Sequence, residues 1–247
     1  VQGRLVPQDS KEQPARIHSR SKKDLLLPSQ EASCNIDFGP PYVLPPGWIK
    51  TRLGEIGEWG AGATPSRSNS SYYGGHIPWF KSGELNDNQN LTESEEFITD
   101  KALQECSLRL NEPGDVLIAM YGATIGKLAI LGCRSTTNQA VCACTCNESM
   151  ANRFLFILLR ALRPFFSAQG AGGAQPNISK VKIVNTWFPL PPYAEQKRIV
   201  AKVHALFAMC DALEAMLVQS HNEADTLAAA VVHHICNGGA RRVEATL

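Results

Sequence analysis

Three groups of residues in this 247-residue sequence have types and spacings that invite chemistry. The first is a pair of Pro-Pro-Tyr steps, Gly39-Pro-Pro-Tyr42 and Leu190-Pro-Pro-Tyr193. Amino-methyltransferases use an (N/D/S)-P-P-(Y/F) loop in which the first side chain hydrogen-bonds the target amino group and the aromatic stacks on a flipped base. Gly39 and Leu190 have no polar side chain for that task, and no Gly-rich strand-to-helix turn supplies a place for S-adenosylmethionine. The second group, Gly122-Ala-Thr-Ile-Gly126-Lys127, is one residue short of a phosphate loop and has Leu128 where a magnesium-binding hydroxyl belongs. The third is Cys142, Cys144 and Cys146, three of the 8 cysteines. Alternation puts them on one face of a strand, but no C-x-x-C or H-x3-5-H companion completes a zinc site. Small apolar side chains facing a core in a reducing compartment are favoured over a thiolate cluster. No G-x-S-x-G, H-E-x-x-H or convincing D…(E/D)-x-K pattern occurs either, and His233-His234 fall near a helix end as dipole-complementing surface residues. The sequence therefore assigns neither catalytic residues, nor a metal, nor a cofactor.

Chemistry of recognition is better represented. The near-neutral total, 24 Lys+Arg against 23 Asp+Glu, hides a strong polarity. Residues 82–115 carry nine acids against Lys101 and Arg109, whereas residues 116–190 carry seven bases against Glu148 alone. A basic face suits a phosphate backbone, with solvated helix faces as the alternative for Arg153, Arg160 and Arg163. Polar loops add groups able to read base edges: Arg67, Ser68 and Asn69, then Thr137 and Asn138, then Gln175 and Asn177. Arginine pairs with guanine, and Asn or Gln with adenine, in the major groove; each such loop is also ordinary turn chemistry. Lys81, Lys127 and Lys180 complete the candidate DNA-binding set.

These loops need a scaffold. Length and a 44% hydrophobic content predict one to two globular domains. No apolar run approaches the roughly 18 residues that span a bilayer, and no signal-peptide core opens the chain, so a soluble, cytoplasmic protein is expected. The pattern divides into residues 1–44, polar and Pro-rich, as a linker; 45–192 as a mixed α/β (α+β) domain; 193–237 as a long helix; and 238–247 as a tail. Buried strands are expected at Val116–Met120, Lys127–Leu131 and Ala140–Thr145, with a helix from Met150 to Arg163 capped by Ser149 and stopped by Pro164. Phe165–Asn177 reads as a flexible, uncharged loop.

From Ala194 to Ile235 neither Gly nor Pro occurs. Ile199, Val203, Leu206, Cys210, Leu213, Leu217, Ser220, Ala224, Leu227 and Val231 alternate spacings of four and three, a heptad seam on a coiled-coil-type helix on the order of 60 Å long. Asn237-Gly238-Gly239 is the expected stop. So long an apolar stripe requires a partner helix from outside this chain, or else folds back on its own domain.

Together these stretches resemble the specificity subunit of Type I restriction-modification enzymes over nearly the whole length. The resemblance is carried by Leu44-Pro-Pro-Gly-Trp48, Leu53-Gly-Glu-Ile56, Gly62-Ala-Thr-Pro65, Tyr73-Gly-Gly-His-Ile-Pro-Trp79 and Ser82-Gly-Glu-Leu85. It continues in Pro113-Gly-Asp-Val-Leu117, Tyr121-Gly-Ala-Thr-Ile-Gly-Lys127, Thr137-Asn-Gln-Ala140, Gln175-Pro-Asn-Ile178, Pro189-Leu-Pro-Pro192 and Glu195-Gln-Lys-Arg-Ile199. Glu84 in the usual G-D-L step and Ala61-Gly62-Ala63-Thr64 in place of a more Gly-rich turn are departures. The resemblance implies a target recognition domain followed by a spacer helix, usually present twice, the two helices pairing antiparallel as a ruler between DNA-reading domains. It makes residues 1–8 the tail of a preceding spacer and the chain the second half of a subunit; a dimerising half-subunit is the alternative, disfavoured by the opening Val1. It further implies a non-catalytic protein that binds double-stranded DNA, methyltransferase subunits, a restriction (motor) subunit and another specificity half or copy. A coiled-coil assembly module with a protein-binding α/β domain is the rival reading.

Overall fold

The computed structural model describes residues 5–9, 11–17, 43–170 and 177–244. It divides into two compact units, 1–200 and 201–247. In chain order the elements are β1 (Ile49–Arg52), β2 (Gly57–Ala61), β3 (Tyr73–Phe80), β4 (Asn88–Leu91), β5 (Phe97–Ile98), α1 (Asp100–Glu105), β6 (Val116–Ala119), β7 (Leu128–Leu131), β8 (Thr136–Thr137), β9 (Val141–Cys146), α2 (Asn152–Gly170), α3 (Lys180–Val184), β10 (Trp187–Leu190) and α4 (Tyr193–Glu244). This is the expected mixed architecture followed by a long helix.

The centre is a five-stranded sheet in the order β2-β9-β6-β7-β4, flanked by the three-stranded β5-β3-β8 and the pair β1-β10. All neighbours in the large sheet are antiparallel except β4 and β7. Leu117, Ala119, Ala129, Leu131, Val141 and Ala143 share one core with Phe80, Leu85 and Leu91. Alternation sends Val116, Ile118, Leu128, Ile130, Cys142 and Cys144 to the opposite face, where they too are buried. Cover on both faces explains why Val116-Leu-Ile-Ala119 reads as an unbroken apolar run. Cys142 and Cys144 are core residues, and burial pushes the Cys142 thiol up to about 12. Among the described residues no His/Cys/Asp/Glu group is placed to hold a metal. Cys34, together with Gly39-Pro-Pro-Tyr42, lies outside the described residues.

The expected helix from Met150 to Arg163 is corrected at both ends. Ser149 does not cap it; the Ser149 hydroxyl and amide both donate to Asn147 Oδ1. The helix α2 runs through Pro164 to Gly170. An interior proline costs about 3 kcal/mol, yet Phe166, two residues beyond it, is fully buried. Large aromatic burial of this kind is worth roughly 1.5–3 kcal/mol and offsets the break. The helix packs on β6 and β7.

The start of α4 is fastened to its own unit. Gln196, fully buried, donates Nε2 to the carbonyls of Ser149 (2.9 Å) and Pro191 (3.0 Å) and accepts from Ala151 N (2.9 Å). Glu195 accepts from Trp48 Nε1 at 2.8 Å and from Gln8 Nε2 at 2.7 Å. Arg198 pairs with Glu12, and Ala15 N donates to Gly47 O at 2.8 Å. Part of the stretch read as linker is thus docked at the base of α4. The helix continues past Gly238-Gly239 to Glu244, beyond the expected stop; glycine weakens a helix by about 1 kcal/mol but, unlike proline, removes no hydrogen bond. Along the seam Ile199 is buried, Val203 half-buried, and Leu206, Leu213, Leu217, Leu227 and Val231 exposed. Met209, Met216 and Val218 are exposed as well, so the apolar surface is wider than a two-position seam. Among the described residues no helix is long and apolar enough to cross a membrane.

Candidate nucleic-acid interface

Strand register decides where the loops meet. Ala61 lies opposite Cys142, Ala119 opposite Val141, Ile118 opposite Leu128, and Asn88 beside Ala129. The segments that follow β2, precede β9, join β6 to β7 and precede β4 therefore leave the sheet at the same end. Strand β3 ends there too, since Phe80 pairs with Thr137 and Asn138 N donates to Phe80 O at 2.9 Å. Ile178 N donates to Met120 O at 2.9 Å and Asn177 bridges Tyr121, which brings Asn177 and the start of α3 at Lys180 to this end. Lys81, Lys127, Asn138, Asn177 and Lys180 are thus brought to one end of the sheet, and Arg67 joins them through Glu96, which it shares with Lys81, whereas Ser68 and Asn69 lead into the turn at the start of β3. Gln175 lies outside the described residues.

The loop carrying Arg67 is pinned from below. Gly62 sits so close to β8 that a Cβ there would lie 2.1 Å from Thr137 O, so only glycine fits. Trp79 Nε1 donates to Ala63 O at 3.0 Å and the Tyr73 hydroxyl to Pro65 O at 2.6 Å. Those two rings meet edge to face at 6.1 Å. The Arg67 guanidinium lies over both, 4.6 Å from the Tyr73 centroid and 5.0 Å from that of Trp79. Its fork is taken by Glu96, at 2.6 Å and 3.2 Å. Asn69 accepts from the amide and hydroxyl of Ser71, capping the short turn Ser70–Tyr72. Ser68 exchanges a hydrogen bond with Ser66.

Lys81 reaches Glu95 at 2.8 Å and Glu96 at 3.1 Å. The hydrogen bond from Arg67, assisted by Lys81 and opposed by partial burial, holds the Glu96 carboxyl at about 2. Lys127 donates to Asn86 Oδ1 at 3.1 Å, so its charge meets a neutral amide there. Arg163 donates to Gly126 O at 2.7 Å and pairs with Asp87, a residue at φ 61°. Arg163 is therefore a clamp between α2 and the loop end rather than a solvated helix-face charge.

Two sequence expectations change here. Thr137 is buried to 1% exposure in β8, so its hydroxyl cannot meet a base edge. The purely basic face is also corrected: strand pairing returns Glu84, Asp87, Glu95 and Glu96, from the acidic segment, to the end that holds Arg67, Lys81 and Lys127. Asn138 is half-buried and its Oδ1 accepts from Ala140 N, so its first duty is to shape the turn into β9. Sequence reasoning passed over Tyr73, Trp79 and Glu96 as site residues. The two aromatics stood in a quoted motif, but nothing local showed which carboxylate would answer Arg67.

The family model for the Type I restriction modification DNA specificity domain matches residues 45–220. The chain is 29% identical over 160 residues to the Type I restriction enzyme MjaIX specificity subunit of Methanocaldococcus jannaschii, covering 63% of this chain and 37% of that one. It is 27% identical over 154 residues to the EcoR124I/EcoR124II specificity subunit of Escherichia coli, covering 60% and 38%. The matched stretch thus spans well under half the length of these relatives. Among solved structures, a chain from a study of complex assembly and conformational transition of the type I R-M system superposes with a TM-score of 0.62 at 25% identity, covering 76% of this chain and 45% of that one. The HsdS subunit from Thermoanaerobacter tengcongensis gives 0.58 at 27% identity, covering 71% and 41%. The match to the family model covers most of the chain and includes the strands and loops of the cluster just described; the protein belongs to the Type I restriction modification DNA specificity domain family.

Proposed function

We propose that this chain is a non-catalytic, sequence-specific DNA-binding subunit, or half-subunit, of a Type I restriction-modification complex, acting in the cytoplasm. It reads one half of a bipartite target with the loop cluster at the end of the central sheet, within a recognition domain of residues 45–192. Methyltransferase subunits then modify an adenine, and a restriction subunit with motor activity cleaves unmodified DNA. The observation that carries this reading is the convergence of the polar loops at one sheet end, with the Arg67 loop held rigid by Trp79 and Tyr73. Phosphate contacts position such a reader and base contacts specify its sequence.

The test is equilibrium binding of the full chain to duplex DNA as a function of salt. Lys127→Ala or Lys180→Ala weakens binding across sequences and lowers the slope of log K against log salt by about one if that lysine meets a phosphate. Arg67→Ala changes sequence preference; equal loss on every duplex contradicts a base-reading role. A chain indifferent to duplex DNA at low salt overturns the proposal and leaves the assembly-module reading. The exposed stripe of α4, with Leu213 and Leu217 at 58% and 70% exposure, supports pairing with a second specificity half or copy across residues 193–237. For pairing with a copy, Leu213→Asp with Leu217→Asp abolishes self-association in sedimentation velocity while the unit formed by residues 1–200 unfolds as before; a wild-type chain that stays monomeric, or an unaltered distribution after substitution, refutes pairing with a copy.

A further inference from the structure

One end of the Arg67 guanidinium, the Nη1–Nη2 fork, is already engaged. Glu96 takes Nη1 at 2.6 Å and Nη2 at 3.2 Å, while the Tyr73 and Trp79 rings lie beside the guanidinium at 4.6 Å and 5.0 Å and leave the side chain 54% exposed. The carboxylate is delivered by β-pairing and not by burial: Glu96 O accepts from Trp79 N at 2.9 Å, and the Glu96 side chain keeps 29% of its surface open. Lys81 holds Glu95 and Glu96 together, so a second cation waits beside Glu96 if it lets go of Arg67. Removing Glu96 from the fork therefore leaves no charge stranded, and the stacked guanidinium stays in place.

We propose that Glu96 is a specificity-determining residue: it acts as a resident competitor in the Arg67 fork, displaced onto Lys81 only by DNA that offers two acceptors in one plane. This rests on the DNA-reading role proposed above. The acceptors that match the bidentate fork and differ between sequences are O6 and N7 of a guanine, whereas a single acceptor loses to the carboxylate; two oxygens of one phosphate also match the fork but are offered by every duplex.

The experiment compares wild type, Glu96→Gln, Glu95→Gln, Arg67→Ala and the double variants Arg67→Ala/Glu96→Gln and Arg67→Ala/Glu95→Gln, as full chains, against a pool of randomised duplexes with sequencing of the bound fraction. Glu95→Gln removes the same charge beside Lys81 but leaves the fork occupied, so it reports the general loss of repulsion from DNA. Glu96→Gln is expected to bind the unselected pool several-fold more tightly than Glu95→Gln and to select less sharply among sequences; that excess vanishes in the Arg67→Ala background. Loss of a guanine position on Arg67→Ala identifies the base edge, whereas a salt slope lower by about one with selection unchanged identifies a phosphate and overturns the specificity-determining role. Equal binding by the two Gln variants, or an excess that persists without Arg67, overturns the role of Glu96 and leaves the DNA-reading proposal intact. A wild type that ignores duplex DNA overturns that proposal, and this one with it.

Discussion

Replacing Gly62 with Ala tests whether the tight seat of the Arg67 loop is real. The added methyl group would lie 2.1 Å from Thr137 O, 2.3 Å from the Thr137 hydroxyl and 2.4 Å from Asn138 O. Two of these obstacles are backbone on paired strand and turn, which cannot rotate aside, so the loop must move off by roughly 1 Å to restore ordinary contact. That movement stretches two hydrogen bonds, Gly62 N to Val141 O and Ala63 N to Thr137 O, both 3.0 Å. Each is worth about 1 kcal/mol, and overpacking adds about 1–3 kcal/mol. The lower entropy of an unfolded chain with Ala in place of Gly returns about 0.4–1 kcal/mol. The net expectation is a loss of about 2–4 kcal/mol, a large part of the 5–15 kcal/mol that holds a typical domain together. In urea, with a slope near 2 kcal/mol/M, the unfolding midpoint falls by about 1–2 M at constant slope. Gly83→Ala is the control, because nothing lies within 4 Å of its Cβ position. A Gly62→Ala midpoint within about 0.3 M of the control would refute the argument, since at that slope it corresponds to only about 0.6 kcal/mol.

Other perturbations follow from the same contacts. Gln196→Ala strands two buried carbonyls and an amide, at about 1 kcal/mol or more each, so a drop of about 3 kcal/mol in chemical unfolding is expected; a change below about 1 kcal/mol would show that water or backbone adjustment satisfies them. A thiol-specific reagent at pH 8 reacts with Cys142 and Cys144 only after unfolding, because burial raises both thiols; mass mapping that finds native labelling at Cys142 contradicts this packing. Glu96 is held at about 2, against its ordinary 4.5, chiefly by the hydrogen bond from Arg67. Since its folded value is the lower one, its contribution to stability is fully present above about pH 4.5 and disappears as the pH falls toward 2. The stability difference between wild type and Glu96→Gln therefore shrinks across that window; a difference that stays constant there would place Glu96 outside the pair.

Local pattern was enough for the parts of this protein that depend on local physics. The continuous apolar runs at Val116–Ala119, Leu128–Leu131 and Val141–Ala143 marked strands buried on both faces, and the four-three spacing from Ile199 marked the long helix. The order of short motifs carried the family. Pro164 shows where local rules lose: its cost is fixed by the residue, but the burial of Phe166 that offsets it is a property of the packed fold. The Glu195-Gln-Lys-Arg-Ile199 step was visible as a motif, yet its role as the fastening of α4 required Trp48, Ser149 and Glu12 to arrive from elsewhere in the chain. Charge is the clearest case. The sequence separates acids at 82–115 from bases at 116–190, and strand register folds one segment back onto the other, so Arg163 meets Asp87 and Arg134 meets Glu112. The types of residue able to read DNA are written in the chain, but which of them stand free, stacked or paired is decided by sheet register, because a carboxylate 29 residues from an arginine becomes its neighbour only when β3 and β5 pair.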